Sequence, residues 1–158
     1  MNATPLVGIL YGSSSDLEVM REASKVLERF GVAHEMVESS AHRNPTSTRE
    51  YAREARARGM RVLICGAGMA AHLAGAAASE TTLPVIGVPL AGSALGGLDA
   101  LLSTAQMPAG VPVATVAIGT AGAKNAAILA TQILAVSDAR LALALEAFKE
   151  EMAEGKRP

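Results

Sequence analysis

The seven residues 39–45, SSAHRNP, place two side chains that can do chemistry next to each other. Residue 42 is a histidine, a residue type that both donates and accepts protons near neutral pH because its reference pKa is about 6.5. Arg43 carries a permanent charge, and its planar guanidinium can hold a phosphate through two parallel hydrogen bonds. The pair therefore predicts a phosphate held by Arg43 with His42 facing the group attached to it. The alternative is a surface histidine beside a solvated arginine.

The segment 12–16, GSSSD, combines a glycine and three hydroxyl side chains with the predicted start of a helix. Free backbone N–H groups and the positive end of a helix dipole would converge there, which favours an anion site. The serines could instead only cap the helix. Asp16 would repel a phosphate that came too close, so a ribose hydroxyl suits it better. The segment is neither a Walker loop nor a dinucleotide-binding fingerprint, because the lysine and the glycine spacing of those motifs are absent.

The segment 66–75, GAGMAAHLAG, consists mostly of small residues. We expect a ligand to lie against its backbone, because Gly66 and Gly68 have no side chain to obstruct it. His72 is either a second polar wall of the same site or the source of a hydrogen bond at the start of a helix.

No metal is expected, because three scattered histidines and one cysteine do not make a ligand set. His34 begins the sequence HEMVE, which differs from the zinc-protease motif HExxH at Glu38 and lies in a predicted strand. Cys65 is the only cysteine, so no intrachain disulfide can form and an oxidising compartment is not indicated.

Short apolar runs typical of strands alternate along the chain with helical patterns. Strands are predicted at residues 5–11, 32–37, 61–68, 83–89 and 111–119, and helices at 17–30, 45–58, 70–82, 96–106, 123–135 and about 138–154. Ser15 with Glu18 forms a candidate capping box, and Asn44 is a candidate cap with Pro45 at the first helical position. This order predicts an α/β fold in which helices cover both faces of an open parallel sheet.

That architecture would bring the three segments together. Ligands of open α/β sheets bind at the carboxyl ends of the strands, where loops lead into helices. All three segments follow a predicted strand at that end of the sheet. Their location favours a functional role for His42 and Arg43 over two solvated surface side chains.

Composition narrows the functional classes. The 158 residues suit a single domain, 1–158, and 14 Lys and Arg against 15 Asp and Glu do not indicate nucleic-acid or anionic-membrane binding. We expect a small-molecule partner or further copies of the chain, especially since the helix at 123–135 is apolar around much of its circumference. The start of the chain lacks the basic region of a signal peptide, and no membrane span is predicted, so the cytoplasm is expected.

Four segments, in this order and spacing, resemble the N5-carboxyaminoimidazole ribonucleotide mutases, the small carboxyl-shifting enzymes of bacterial purine (IMP) synthesis. They are GSSSD, SSAHRNP, GAGMAAHLAG and residues 97–130, within a resemblance from Leu6 to about Leu134. The resemblance implies a flavodoxin-like three-layer α/β/α sandwich with a parallel sheet and no cofactor. It also implies an octamer with active sites at subunit junctions, a C-terminal helix at about 138–154 that packs on neighbouring subunits, and N5-carboxyaminoimidazole ribonucleotide synthetase as a functional partner.

The resemblance also implies residue roles, with His42 as general acid and base. The implied substrate-binding residues are Ser13, Ser15 and Arg43 for the phosphate, Asp16 for the ribose, Ser40 and Ala41 beside the imidazole, and Gly68, Ala70 and Leu73 on the far wall. Implied supporting residues are His72, Gln106, Met107 and Pro108. The chain departs from the family pattern at Met69, where glycine is usual, and at Ala74, where proline is usual.

The implied reaction moves a carboxylate from an exocyclic nitrogen to the neighbouring ring carbon, by decarboxylation and recapture of CO2. One group must give a proton to the nitrogen and take a proton from the carbon, which suits histidine. An open cleft would lose CO2, so the reaction requires apolar walls and a covering loop. Met69 is unbranched and adaptable, and it could tighten such a pocket.

Three other functions stay open. A sister group carboxylates aminoimidazole ribonucleotide directly with CO2, and it shares the first two segments but usually lacks the Gly-Ala-Gly and Ala-His of the third. A pyridinium carboxylase built on a related domain carries extra sequence. A non-enzymatic flavin- or nucleotide-binding module would share the fold, although only Tyr11, Tyr51, Phe30 and Phe148 could stack on a flavin.

Overall fold

Apolar runs of the sequence form the strands of one sheet in the computed structural model, which describes residues 4–156. The strands are β1 Val7–Tyr11, β2 His34–Glu38, β3 Val62–Gly68, β4 Val85–Leu90 and β5 Ala114–Thr115. The helices are α1 Leu17–Arg29, α2 Pro45–Ala55, α3 Leu73–Ala78, α4 Leu98–Ala105, α5 Thr120–Ala135 and α6 Ala139–Ala153. A short 3-10 turn, Ser14–Asp16, leads into α1.

The strands lie in the order β2-β1-β3-β4-β5 and every neighbouring pair is parallel, which confirms the predicted α/β fold. Val7 of β1 is opposite His34 of β2 on one side and opposite Val62 of β3 on the other. This is the flavodoxin-like order. The chain adds β2 on one side of β1, returns to place β3 on the other side, and then continues outward through β4 and β5. The reversal leaves a crevice at the carboxyl ends of β1 and β3.

Helices cover both faces of the sheet and complete the three-layer sandwich. On one face α1 and α5 pack on the sheet and α6 packs beside them, around a core that includes Ile9, Val62, Ile86, Met20, Leu27, Ala126, Ala130, Leu141 and Phe148. On the other face α2 and α3 cover Leu10, Leu63 and Cys65. The rings of Phe30 and Phe148 meet edge to face with centroids 5.5 Å apart, and this contact joins the end of α1 to α6.

Glycines allow the layers of this aromatic-poor core to approach closely. A Cβ atom on Gly122 would overlap the carbonyl group of Ala117, and one on Gly66 would overlap the thioether of Met20. Gly66 is buried, so its missing side chain makes room for α1. The expectation that a ligand lies against Gly66 is therefore wrong.

A polar cluster fixes α2 against the edge strand β2. The hydroxyl of Tyr51 donates to Glu35 Oε1 at 2.8 Å, and Arg58 Nη2 donates to the same carboxylate at 2.6 and 2.7 Å. Burial and the neighbouring Glu35 raise the pKa of Tyr51, so this hydroxyl keeps its proton and stays a donor. Because α2 begins at Pro45, the last residue of the segment 39–45, the cluster also holds one end of that segment in place.

Several predicted boundaries differ from the structure for local reasons. Helix α3 begins at Leu73 rather than at residue 70, because Met69 and Ala71 have positive φ angles of 53° and 31°. Helix α4 begins after Gly96 and Gly97, which also have positive φ. Helix α2 ends at Ala55, four residues before Gly59, and is followed by a turn.

Two local predictions at the ends of helices gave opposite results. The capping box of Ser15 with Glu18 is wrong, because α1 begins after Asp16 without a side-chain cap and Ser15 lies in the 3-10 turn. The cap of α2 is confirmed: Asn44 Oδ1 accepts a hydrogen bond from Ser47 N, and Pro45 is the first helical residue.

Strand β5 is shorter than predicted, with two residues in place of 111–119. Pro112 cannot donate a backbone hydrogen bond, which limits pairing before Ala114. Beyond Thr115 two isolated hydrogen bonds still join the chain to β4. Val116 N donates to Gly87 O at 3.1 Å, and Gly119 N donates to Pro89 O at 2.8 Å.

Most apolar side chains of helix α5 pack against other parts of the same chain. Its buried residues face the sheet, α1 and α6, and its exposed positions include Asn125 and Gln132. The expectation that this helix needs other copies of the chain for cover is therefore not supported by its packing. Within residues 4–156, no helix combines the length and the apolar character needed to cross a membrane.

Candidate active site

A cavity of about 530 Å³ opens at the carboxyl ends of the central strands, a size typical of small-molecule sites. It is lined by Gly12, Ser13, Ser15 and Asp16 after β1, Ser40, Ala41, His42 and Arg43 after β2, residues 67–73 at the end of β3, and Gly92 after β4. The three segments singled out in the sequence therefore meet in one cavity.

The structure brings together most of the residues that the sequence proposes for a site. His42, His72 and all nine substrate-binding candidates line the cavity. Gln106, Met107 and Pro108 do not line it. They follow α4, where Gln106 and Pro108 are exposed, and Met107 lies so close to Gly75 that a Cβ atom there would be 2.9 Å from its sulfur.

The segment after β1 is a tight polar turn. Gly12 N donates to Gly66 O at 3.1 Å, which ties the turn to β3. The Oγ atoms of Ser13 and Ser15 are 2.6 Å apart, and Ser13 Oγ donates to Asp16 Oδ2 at 3.2 Å. The 3-10 turn runs directly into α1, and Leu17 N donates to Ser14 O, so the positive end of the helix dipole lies beside the cavity.

The segment after β2 is anchored at both ends. At its start, Ser39 N donates to Tyr11 O at 2.8 Å, and the buried hydroxyls of Ser39 and Thr48 are 2.7 Å apart. At its end, Asn44 N donates to Ser40 O at 2.8 Å while the Asn44 side chain caps α2. Residues 41–43 form a turn between these anchors and project into the cavity.

Arg43 links the two segments. Its Nη2 donates to Gly12 O at 2.6 Å, and its Nε donates to Ser40 Oγ at 3.2 Å. A guanidinium has five N–H groups, and these two bonds are the ones the structure records for this side chain in the described range. The bonds set the direction of the guanidinium and leave N–H groups for an anion in the cavity.

The two histidines of the cavity form a pair. His42 Nε2 and His72 Nδ1 are 2.5 Å apart, and the rings meet edge to face with centroids 4.6 Å apart. One nitrogen must carry a proton and the other must accept it. His72 occupies the position before α3 but caps no helix N–H group, so the structure favours its role as a second polar wall over a helix-start bond.

The end of β3 forms the wall opposite the polar segments. Ala71 N donates to Gly68 O at 3.0 Å and closes a turn in which Met69 has a φ of 53°. A side chain in this region costs about 1–2 kcal/mol, which is why glycine is the usual occupant. Leu73 is 2% exposed and forms the floor, whereas Met69 is 62% exposed. Ala74 is equally buried but does not line the cavity.

The remaining histidine and the cysteine lie outside the cavity. His34 Nε2 is 2.7 Å from Ser24 Oγ and its Nδ1 is 2.8 Å from Val32 O, so both ring nitrogens join β2 to neighbouring backbone and α1. Burial raises the pKa of the Cys65 thiol to about 12, which keeps it protonated and unreactive. The described part of the chain holds no group of three or more His, Cys, Asp or Glu side chains that could bind a metal ion.

Gly92 is the lining residue outside the three segments singled out in the sequence, whereas Gly12, Ala67 and Ala71 lie within them but were given no individual role. Gly12 contributes the carbonyl oxygen that orients Arg43, and its position directly after a strand was the available signal. Gly92 follows β4, so the rule that sites lie at carboxyl ends of strands could have indicated it.

Comparison with known proteins gives three findings. The family model of AIR carboxylase matches residues 6–155. The N5-carboxyaminoimidazole ribonucleotide mutases of Pyrococcus horikoshii and Bacillus subtilis are each 55% identical, over 94% of this chain and 82% of the first protein, and over 92% of this chain and 90% of the second. The crystal structure of Treponema denticola PurE superimposes with a TM-score of 0.86 at 29% identity, over 96% of this chain and 93% of that one.

Proposed function

The chain belongs to the AIR carboxylase family, and from that premise we propose that it is an N5-carboxyaminoimidazole ribonucleotide mutase. It converts N5-carboxyaminoimidazole ribonucleotide to 4-carboxy-5-aminoimidazole ribonucleotide in de novo purine biosynthesis. The observation that carries the proposal is the near full-length identity of 55% with relatives of that name. The cavity supports it, because one end suits a phosphate and the other holds two histidines.

The polar turn and Arg43 are suited to the ribose phosphate. Arg43 presents charged N–H groups near the hydroxyls of Ser13 and Ser15, and the start of α1 adds the positive end of a helix dipole. Asp16 already accepts from Ser13 and repels a close anion, so it suits the ribose hydroxyls. This arrangement orients the nucleotide with its base towards His42.

At the base, His42 acts as general acid and general base, and Ser40 and Ala41 lie beside the imidazole ring. The N–C bond of the carbamate breaks, the exocyclic nitrogen receives a proton and CO2 is released. The ring carbon then attacks CO2, a C–C bond forms and the ring-carbon proton returns to the base. The protons balance, so one histidine can serve both steps. His72 positions the His42 ring through their 2.5 Å contact.

Assembly is a further part of the proposal: the chain forms an octamer whose active sites lie at subunit junctions. The large exposed apolar side chains Leu95, Leu98 and Leu102 support an interface along α4, and Leu143, at 66% exposure, supports contact of α6 with neighbouring subunits. Gln106, Met107 and Pro108 follow α4 directly, which suits a supporting role beside a neighbour's site. The protein acts in the cytoplasm with N5-carboxyaminoimidazole ribonucleotide synthetase, which supplies its substrate.

The proposed function is tested against direct carboxylation with labelled bicarbonate. During conversion of unlabelled carbamate substrate, early product should contain little label, because a mutase reuses the CO2 that it releases. Rapid incorporation, together with efficient carboxylation of aminoimidazole ribonucleotide at low bicarbonate, would place the chain with the direct carboxylases. Product binding without any turnover would instead indicate a nucleotide-binding module.

His42→Asn should lower kcat by at least about 100-fold, the usual minimum for losing a general acid and base, while product affinity changes little. Steady-state kinetics and calorimetric titration with product measure the two effects. His34→Asn is the matched control, because His34 lies outside the cavity, and it should keep its turnover. Near-normal turnover of the His42 variant would remove this residue from the mechanism.

Arg43→Ala should weaken product binding about 10- to 100-fold, the expected loss for a charged hydrogen bond of about 1.5–3 kcal/mol. Arg43→Lys should recover only part of it, because an ammonium cannot form the two-pronged contact. Arg49→Ala, an exposed arginine on α2 outside the cavity, serves as control in the same titration. Equal affinity in all these proteins would mean that the phosphate binds elsewhere.

Light scattering at micromolar concentration should report eight subunits. The double variant Leu98→Asp with Leu102→Asp should assemble less, because these side chains are four residues apart and share one exposed face of α4. The exposed Arg21→Asp on α1 is a control for added negative charge. A monomeric wild-type protein would contradict the octamer and the placement of its active sites at subunit junctions.

A further inference from the structure

Met69 differs from every other residue that lines the cavity. The other lining residues are small, polar or charged, except for Leu73, which is 2% exposed and forms the floor. Met69 lines the cavity as well but is 62% exposed, so much of its side chain faces solvent. Among the lining residues, it is the only long apolar side chain that reaches the mouth of the cavity.

Folding stability does not explain a methionine here. Its φ of 53° is a backbone conformation that favours glycine, and the turn closed by Ala71 N and Gly68 O would form with glycine as well. The exposed side chain buries little apolar surface, so it contributes little to offset the strain. A strained residue that stabilises nothing in the free chain points to a role in the assembled, ligand-bound site.

The chemistry of the site has a need that this side chain meets. CO2 is small, apolar and uncharged, so the groups that hold a phosphate or a base give it little binding. Three polar residues that line the cavity with Met69 are exposed to solvent: His42, His72 and Arg43. Methionine has three rotatable bonds and a polarizable thioether, and it adapts its shape to an irregular surface.

We propose that Met69 folds over the mouth of the cavity when nucleotide is bound and retains the CO2 released from the carbamate until the ring carbon captures it. The proposal rests on the mutase function. It makes Met69 a residue that couples the two half-reactions, rather than one that binds the nucleotide or transfers a proton. Loss of the Met69 side chain should therefore let CO2 escape from the cavity. The groups that bind the nucleotide and transfer the proton should stay in place.

Met69→Gly is the direct test and Met69→Leu is its matched control, since leucine keeps a long apolar side chain with the same backbone strain. Unlabelled carbamate substrate is converted in the presence of 13C-bicarbonate and carbonic anhydrase, and the non-enzymatic breakdown of substrate is subtracted. Two readouts report the escape of CO2: the amount of 13C label in the product and the amount of free aminoimidazole ribonucleotide. Tm and product affinity are measured for each variant as well.

For the glycine variant we expect label incorporation and free aminoimidazole ribonucleotide to rise several-fold above wild type. Its Tm should be equal or higher, because glycine accepts the positive φ, and its product affinity should be unchanged. The leucine variant should leak no more than twice as much as wild type. These differences measure coupling, which a purely structural residue would not alter.

Two outcomes would overturn the role of Met69 alone. One is a Met69→Gly variant that loses no more CO2 than an active wild type. The other is a Met69→Leu variant that loses as much CO2 as the Met69→Gly variant. A wild type that does not convert the carbamate, or that incorporates label freely, would overturn the mutase function and this inference together. The wild-type reaction thus separates the two failures.

Discussion

Parallel pairing of β1 with β2 on one side and β3 on the other is the constraint on which the site depends. Neighbouring strands lie about 4.8 Å apart, so the chain segments that leave their carboxyl ends must emerge side by side. The segments after β1, β2 and β3 are far apart in sequence, yet each lines the same cavity. The strand order keeps a helix from filling the space between them, because the chain leaves β1 and β3 in opposite directions.

Hydrogen bonds between the segments give the cavity a fixed polar end before any ligand binds. Gly12 is held from both sides, since its N–H donates to β3 and its carbonyl accepts from Arg43. Ser39 is held by β1 and by a hydroxyl of α2. A site that is already ordered loses less conformational entropy on binding and holds the reacting atoms more accurately. On the proposed function, binding of the phosphate by this end aligns the base with His42.

Local sequence rules predicted most of the fold and the lining of the cavity. Asn44-Pro45 identified the start of α2, and the apolar runs identified the strands, because both effects act between residues close in sequence. Errors arose where distant residues decide the structure. The role of Gly66 depends on Met20 of α1, and the contact of His42 with His72 spans 30 residues. The Gln-Met-Pro motif, residues 106–108, is part of the resemblance to the family. A motif does not say where its side chains lie in space, and this segment lies outside the cavity of its own chain.

The proposed reaction needs no net proton from solvent, and the contact with His72 holds the ring that transfers the proton. Two imidazole nitrogens 2.5 Å apart cannot both present lone pairs to each other, so the contact requires a proton between them. The proposed reaction gives one proton to the exocyclic nitrogen and takes one from the ring carbon, so its net proton change is zero. His42 can therefore give one proton and recover one within a turnover, without exchange with bulk water. A site that must exclude solvent to keep CO2 therefore has no need to admit solvent for the proton, and cover over the mouth does not obstruct the proton transfers.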